Sequence, residues 1–241
     1  TEKGIATMLE KIGISSLKEL YADVPDSIMF KGEYNIDEAK SEIEIRNYFK
    51  QLCEKNKLLT VFAGAGSYDH YPPAVIPSII SRSEYLTSYT PYQAEVSQGT
   101  LHYIFEYQSM MAELTGMDIS NASMYDGSTA TAEAVLMAKA STKKTDKVLV
   151  SSTIDPKILN VVRTYAHFNG IEIKMISQKD GVTDKADMDA LLAEGGVAGV
   201  VVQQPNYYGI IEDYSGYAES CHSSKALFIM NSVAADLALL K

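Results

Sequence analysis

Four short stretches carry residue types that could do chemistry. The first is Gly64-Ala65-Gly66-Ser67-Tyr68-Asp69-His70-Tyr71. Its glycines let a backbone approach a ligand closely, and its phenols, carboxylate and imidazole can hydrogen-bond a small polar molecule. His70 is the side chain suited to acid–base work near neutrality. The plainer reading is a tight turn followed by a tyrosine-rich packing surface. The second stretch, Tyr89-Thr90-Pro91-Tyr92-Gln93-Ala94-Glu95-Val96-Ser97-Gln98-Gly99, concentrates phenols, amides, a carboxylate and hydroxyls just before a helix. It reads either as a binding loop or as a structured cap on that helix.

The third stretch, Met124-Tyr125-Asp126-Gly127-Ser128-Thr129-Ala130, lies at a loop-to-helix junction. Small hydroxyl residues and a glycine at a helix start suit phosphate, because free N–H groups and the positive end of the dipole face the anion there. The same residues also make an ordinary capped start, with Asp126 or Ser128 as N-cap. The fourth, Asn231 to Asp236, follows a strand. Ligands of open parallel sheets lie beyond the carboxyl ends of strands, which makes Asp236 a candidate contact; a helix-starting Asp is the alternative. No Gly-x-Ser-x-Gly elbow, HExxH, Walker loop or GxGxxG is present.

The elements that must position these stretches follow from periodicity. Residues 1–58 read as a helical arm: Ile5, Met8, Leu9 and Ile12 recur at helical spacing, Ser16 precedes a short helix, and Asn35 to Glu38 is a plausible start for a helix running to Asn56. Residues 59–123 are Tyr/Gly-rich loops and a connecting helix from Gly99 to a glycine stop at Gly116. Long polar and aromatic loops in a compact protein are usually either functional or disordered, and the tyrosines with interleaved apolar runs argue against disorder. From residue 124 to 241 strands and helices alternate: a helix over about 129–142, strands near 147–152, at IEIKMIS, at VAGVVVQQPN and at ALFIMNS, with helices between them, one of them over EDYSGYAESCHSS. Repeated βα units predict a mainly parallel sheet covered on both faces.

Composition bounds the partners. The chain has 241 residues and a net charge of −10, which disfavours binding to nucleic acid or anionic lipid. Its two cysteines are far apart and no Cys/His cluster exists, so no metal site is expected. No signal-peptide pattern and no run of about 20 apolar residues occurs, giving the expectation of a soluble cytoplasmic protein without a membrane segment.

Taken together, FAGAGSYDHYPPAV, SRSEYLTSYTPYQAEVSQGTL, ELTGMDISNASMYDGSTATAEA and NSVAADLALL resemble subunit 1 of the two-subunit bacterial glycine dehydrogenases (decarboxylating). The resemblance runs from the arm to the last residue; Ala94 stands where the family usually has proline. It implies an αβα sandwich of the PLP-dependent transferase type (fold type I), with a mainly parallel large domain. It also implies a subunit about twice this length, so the chain is expected to be its truncated N-terminal part, with an incomplete large domain.

The resemblance further implies a reaction in which glycine loses CO2 with pyridoxal 5'-phosphate as electron sink, the aminomethyl group passing to the lipoyl arm of the H protein. The cofactor would be held covalently by a lysine of the partner, glycine dehydrogenase subunit 2, in an α2β2 assembly. By that likeness Gly127, Ser128 and Thr129 match the phosphate-side loop and Asp236 the aspartate that pairs with the pyridine nitrogen, in a degenerate site. Tyr68, His70, Tyr92 and Glu95 become candidate catalytic residues, and Tyr89, Gln93, Ser97 and Gln98 candidate substrate contacts, all on loops that complete the partner's active site. Competing readings are a self-contained aminotransferase-like enzyme, a non-catalytic scaffold subunit and a generic ligand-binding α/β domain.

Overall fold

A computed structural model describes residues 1–60, 70–142 and 145–238. The chain divides into two compact units, Thr1–Thr60 and Val61–Lys241. The first unit holds α1 (Glu2–Ile12), a 3-10 turn (Leu17–Tyr21) and α2 (Glu42–Cys53). Thr1 caps α1 by accepting from the Gly4 N–H at 3.2 Å, and Gly13 ends it in the left-handed conformation, φ 88°. The segment from Asn35 to Glu38 is not helical. The start of α2 is set instead by Ser41, whose N–H donates to Glu44 at 2.8 Å.

The second unit opens with short helices α3 (Val75–Ile80) and α4 (Ser83–Leu86), then the long α5 (Gln98–Thr115), stopped by Gly116 at φ 72°. The alternating part follows: α6 (Gly127–Ser141), β1 (Lys147–Ser151), α7 (Pro156–Phe168), β2 (Glu172–Ile176), a hairpin of β3 (Gln178–Lys179) and β4 (Val182–Thr183), α8 (Lys185–Ala193), β5 (Val197–Gln204), α9 (Tyr217–Ser223), β6 (Leu227–Ser232) and a 3-10 turn (Ala234–Ala238). Helix α9 is shorter than periodicity predicts, because Glu212 is drawn into a buried network and the chain before Tyr217 is irregular.

Four strands form one sheet in the order β2-β1-β5-β6, and all three pairings are parallel. Side chains alternate across it. Val148, Val150, Ala198 and Val201 face Ala132, Val135 and Ala138 of α6 and Val162 and Ala166 of α7. Leu149, Ile176, Val200 and Val202 face Met188 and Leu192 of α8 and Tyr217 and Cys221 of α9. Both faces are therefore covered, which is why β5 reads as an unbroken apolar run. Gly199 allows the closest approach: a Cβ there would lie 3.1 Å from the Ala138 Cβ and 3.4 Å from the Leu227 carbonyl oxygen. Each fully buried aliphatic side chain contributes roughly 1.5–3 kcal/mol relative to exposure.

Candidate functional site

The aromatic loops come first along the chain. Tyr68 and the preceding glycines lie outside the described residues, while His70 is exposed. The rings of Tyr89 and Tyr92 approach to 6.5 Å in a tilted pair, both exposed. The Gln93 carbonyl accepts from the Ser97 N–H at 2.9 Å, and Ser97 in turn begins α5 by accepting from Leu101 N–H at 3.0 Å. These bonds fold residues 93–97 into a turn that leads directly into the helix. A shallow groove of about 480 Å³ lies along it, lined by Ala94, Glu95, Gln98, Leu101, His102 and Phe105. Glu95 and Gln98 thus line the same groove, with Ala94, Leu101 and Phe105 as its apolar part.

The α6 turn is built around Asp126. Its carboxylate accepts from the Thr129 N–H at 2.8 Å, and its own N–H donates to the Thr129 hydroxyl at 3.3 Å. Asp126 is thus the cap, and Gly127, Ser128 and Thr129 form the first helical turn. Ala138, late in α6, packs on Gly199, early in β5, so the helix runs against the strands. From Gly127 to Ala138 the helix covers roughly 16 Å at 1.5 Å per residue, a length matched by the rest of β5 at about 3.3 Å per residue. The first turn of α6 therefore lies level with the carboxyl ends of the strands. Asp236 follows β6 on the 3-10 turn, half-buried, its N–H donating to the Val233 carbonyl at 2.9 Å. The side-chain nitrogen of Asn231, near the end of β6, is buried without a hydrogen-bond partner among the described residues.

This edge does not suit a phosphate as it stands. Of the first-turn amides, the Thr129 N–H already serves the Asp126 carboxylate, and a phosphate beside that carboxylate would meet a like charge. No described lysine is buried, and Lys185 is engaged by Asp189 at 2.7 Å and Ser220 at 3.0 Å. Among the described residues, then, this edge offers no buried lysine.

Behind the opposite face, two phenols are held neutral. Burial pushes the Tyr214 hydroxyl well above the usual phenol range, and Tyr217 up to about 12, mainly by burial and then by the nearby Glu212 charge. Both act as donors, Tyr214 to the Gln203 carbonyl at 3.0 Å and Tyr217 to the Thr183 carbonyl at 2.9 Å. Sequence reading missed the buried polar group around Glu212, since its Thr, Asn, Gln and Glu members look like surface residues. One signal was present: Asp180-Gly181, both at positive φ, marks the β3–β4 hairpin that carries Thr183.

A four-stranded parallel sheet covered on both faces, with candidate residues on loops and at the carboxyl edge, defines an α/β protein. The model of the family described as glycine cleavage system P-protein matches residues 1–241, and the chain belongs to that family. It is 49% identical over 235 residues to a protein of Anoxybacillus flavithermus named "probable glycine dehydrogenase (decarboxylating) subunit 1", covering 96% of this chain and 52% of that one. A protein of the same name from Lysinibacillus sphaericus is 46% identical over 243 residues, covering 100% and 54%.

A crystal structure of glycine decarboxylase (P-protein) of the glycine cleavage system, in inhibitor-bound form, superposes with a TM-score of 0.86 at 39% identity, over 100% of this chain and 54% of that one. The αβα fold expected from the resemblance is thereby established, with this chain as its N-terminal part. Mouse CSAD in apo form shares the fold, at TM-score 0.59 and 14% identity over 90% of this chain and 48% of that one. The chain spans about half the length of the relatives it matches. Among the described residues no helix is long and apolar enough to cross a membrane.

Proposed function

We propose that this chain belongs to the lysine-free subunit of a glycine dehydrogenase (decarboxylating), acting in the cytoplasm within a shared active site. The observation that carries the reading is the family match over the whole chain, joined to an α6 turn in which the Asp126 carboxylate takes the Thr129 N–H. On this reading Gly127, Ser128, Thr129 and Asp236 are a degenerate counterpart of a cofactor site. Pyridoxal 5'-phosphate is held covalently by the partner, glycine dehydrogenase subunit 2, in an α2β2 assembly. The cofactor would supply its electron-sink chemistry from that partner.

This chain would supply a wall. Tyr89, Gln93, Ser97 and Gln98 present phenol, amide and hydroxyl groups suited to binding glycine and orienting it. Tyr68, His70, Tyr92 and Glu95 are the candidates for holding or moving a proton and for keeping water out while the aminomethyl group passes to the lipoyl arm of the H protein. The exposure of Tyr89, Tyr92 and Glu95 fits side chains whose contacts lie on another chain. The two free cysteines, Cys53 and Cys221, fit a reducing compartment.

The test is a purification of the tagged full-length gene product from native lysate, followed by borohydride reduction and mapping of the modified lysine by mass spectrometry. The reading expects a partner of similar size carrying the reduced pyridoxyl-lysine. A modified lysine on this gene's own product would establish the self-contained enzyme instead. Recovery of neither partner nor cofactor would remove the functional reading and leave the fold.

A further inference from the structure

Glu212 is a buried carboxylate with no ion pair among the described residues. Its charge is met by hydrogen-bond donors alone. One oxygen accepts from the Thr153 hydroxyl at 2.9 Å and from the Asn206 side-chain amide at 2.7 Å; the other accepts from the Thr183 N–H at 2.7 Å. Its backbone is gripped as well: the Gln204 side chain accepts from Glu212 N–H at 3.0 Å and donates to its carbonyl at 2.8 Å.

These donors come from three places. Thr153 follows β1, Thr183 ends the hairpin that follows β2, and Asn206 follows β5. Strands β2, β1 and β5 are neighbours in the sheet, so one carboxylate ties together the carboxyl ends of three adjacent strands. Cross-links run beside it. Asn206 also donates to the Gly181 carbonyl at 2.8 Å, and Tyr207 N–H donates to the Thr153 carbonyl at 2.8 Å. The Asn206 side-chain oxygen accepts from Tyr208 N–H at 2.9 Å and Ile210 N–H at 3.1 Å, which shapes the loop tip. That tip leaves Tyr207, Tyr208 and Ile211 exposed.

A buried anion solvated only by donors cannot release one of them cheaply, because the others are then left facing an under-solvated charge. The donors must be kept or lost together. We propose that Glu212 is a conformational latch: it makes the hairpin Gln178–Thr183 and the loop 205–211 open and close as one unit, so that contact made at Tyr207 and Tyr208 is transmitted to the hairpin. A glutamine cannot replace it. Whichever way its amide is turned, the NH2 group meets a donor, either the Thr183 N–H or the Asn206 amide.

The experiment is hydrogen–deuterium exchange by mass spectrometry on the full-length gene product, comparing wild type with Glu212→Gln. The expected result is faster exchange in both 178–183 and 206–211 by one common factor of about tenfold or more, with Val148–Val150 and α7 unchanged. Acceleration in one segment alone, or in neither, would overturn the latch. Acceleration spread evenly over β1 and α7 would also overturn it, by showing global destabilisation. If Glu212→Gln does not fold, Thr153→Val decides the matter, since Thr153 lies in neither segment. It should accelerate both by a smaller common factor, and an effect confined to one segment would again reject the proposal.

Discussion

Every buried residue in the described chain lies between Thr131 and Ala226, whereas the described residues before Thr131, more than a third of the sequence, contain none. The two regions differ little in apolar content. Ile5, Met8 and Ile12 line one side of α1, and Tyr48 and Phe49 meet edge-to-face on α2 at 5.6 Å, yet all five remain exposed. The later region buries its apolar residues because each strand brings two faces and each crossover helix covers one of them. Amphipathic spacing thus tells that a helix has a face to bury, and only the neighbouring elements tell whether this chain can bury it.

Thiol chemistry should separate the regions most widely. Cys53 is exposed, whereas Cys221 is fully buried and burial pushes its thiol up to about 11. Iodoacetamide labelling followed by peptide mapping should modify Cys53 at least about a thousandfold faster, with Cys221 reacting only through unfolding. Comparable rates would mean that the sheet region is not a stable core.

Next in size is a pair of truncations. Leu149→Ala, between β1 and the α8–α9 face, should cost about 2–5 kcal/mol in urea unfolding. Phe49→Ala should change the stability of this chain by less than about 0.5 kcal/mol. A large loss at Phe49 would erase the contrast. Gly199→Ala tests the tightest contact of the core. With backbone as well as Ala138 in the way, it should cost about 1–3 kcal/mol, seen as a lower unfolding midpoint.

The smallest effect concerns pH. Asp187 accepts from the Ser177 hydroxyl at 2.6 Å and the Ser177 N–H at 2.7 Å, and these bonds, the hydroxyl's first, hold its carboxyl below the usual range. Because the folded-state value is the lower one, this stabilisation is present above the unfolded value and fades as pH falls through the folded one. Below about pH 4 the wild-type urea midpoint should therefore fall more steeply than that of Asp187→Asn. Parallel slopes would remove Asp187 from the acid response.

Sequence made the sheet legible where burial is two-sided: VAGVVVQQ could be little else, and Gly116 marks the end of α5 as the glycine rule requires. It misplaced boundaries where side chains, not periodicity, decide them, as at Ser41 with Glu44 and at Glu212. For the candidate site it supplied residue types but not company. Periodicity could not show that Glu95 and Gln98 share a groove, or that Asp126 takes the amide of its own helix. The Glu212 network escaped altogether, because a polar residue satisfied by distant donors carries no local pattern.

The strand order also has a consequence for synthesis on the ribosome. β1 pairs first with β2, which is the next long strand to emerge, but its other edge waits for β5, with Val148 meeting Gly199 and Val150 meeting Val201. Until the α8 and β5 segments leave the exit tunnel, Val148, Leu149 and Val150 form an unpaired, apolar rim of a two-stranded ribbon. During that interval the nascent chain carries an apolar strand edge open to edge-to-edge association with its neighbours on a polysome.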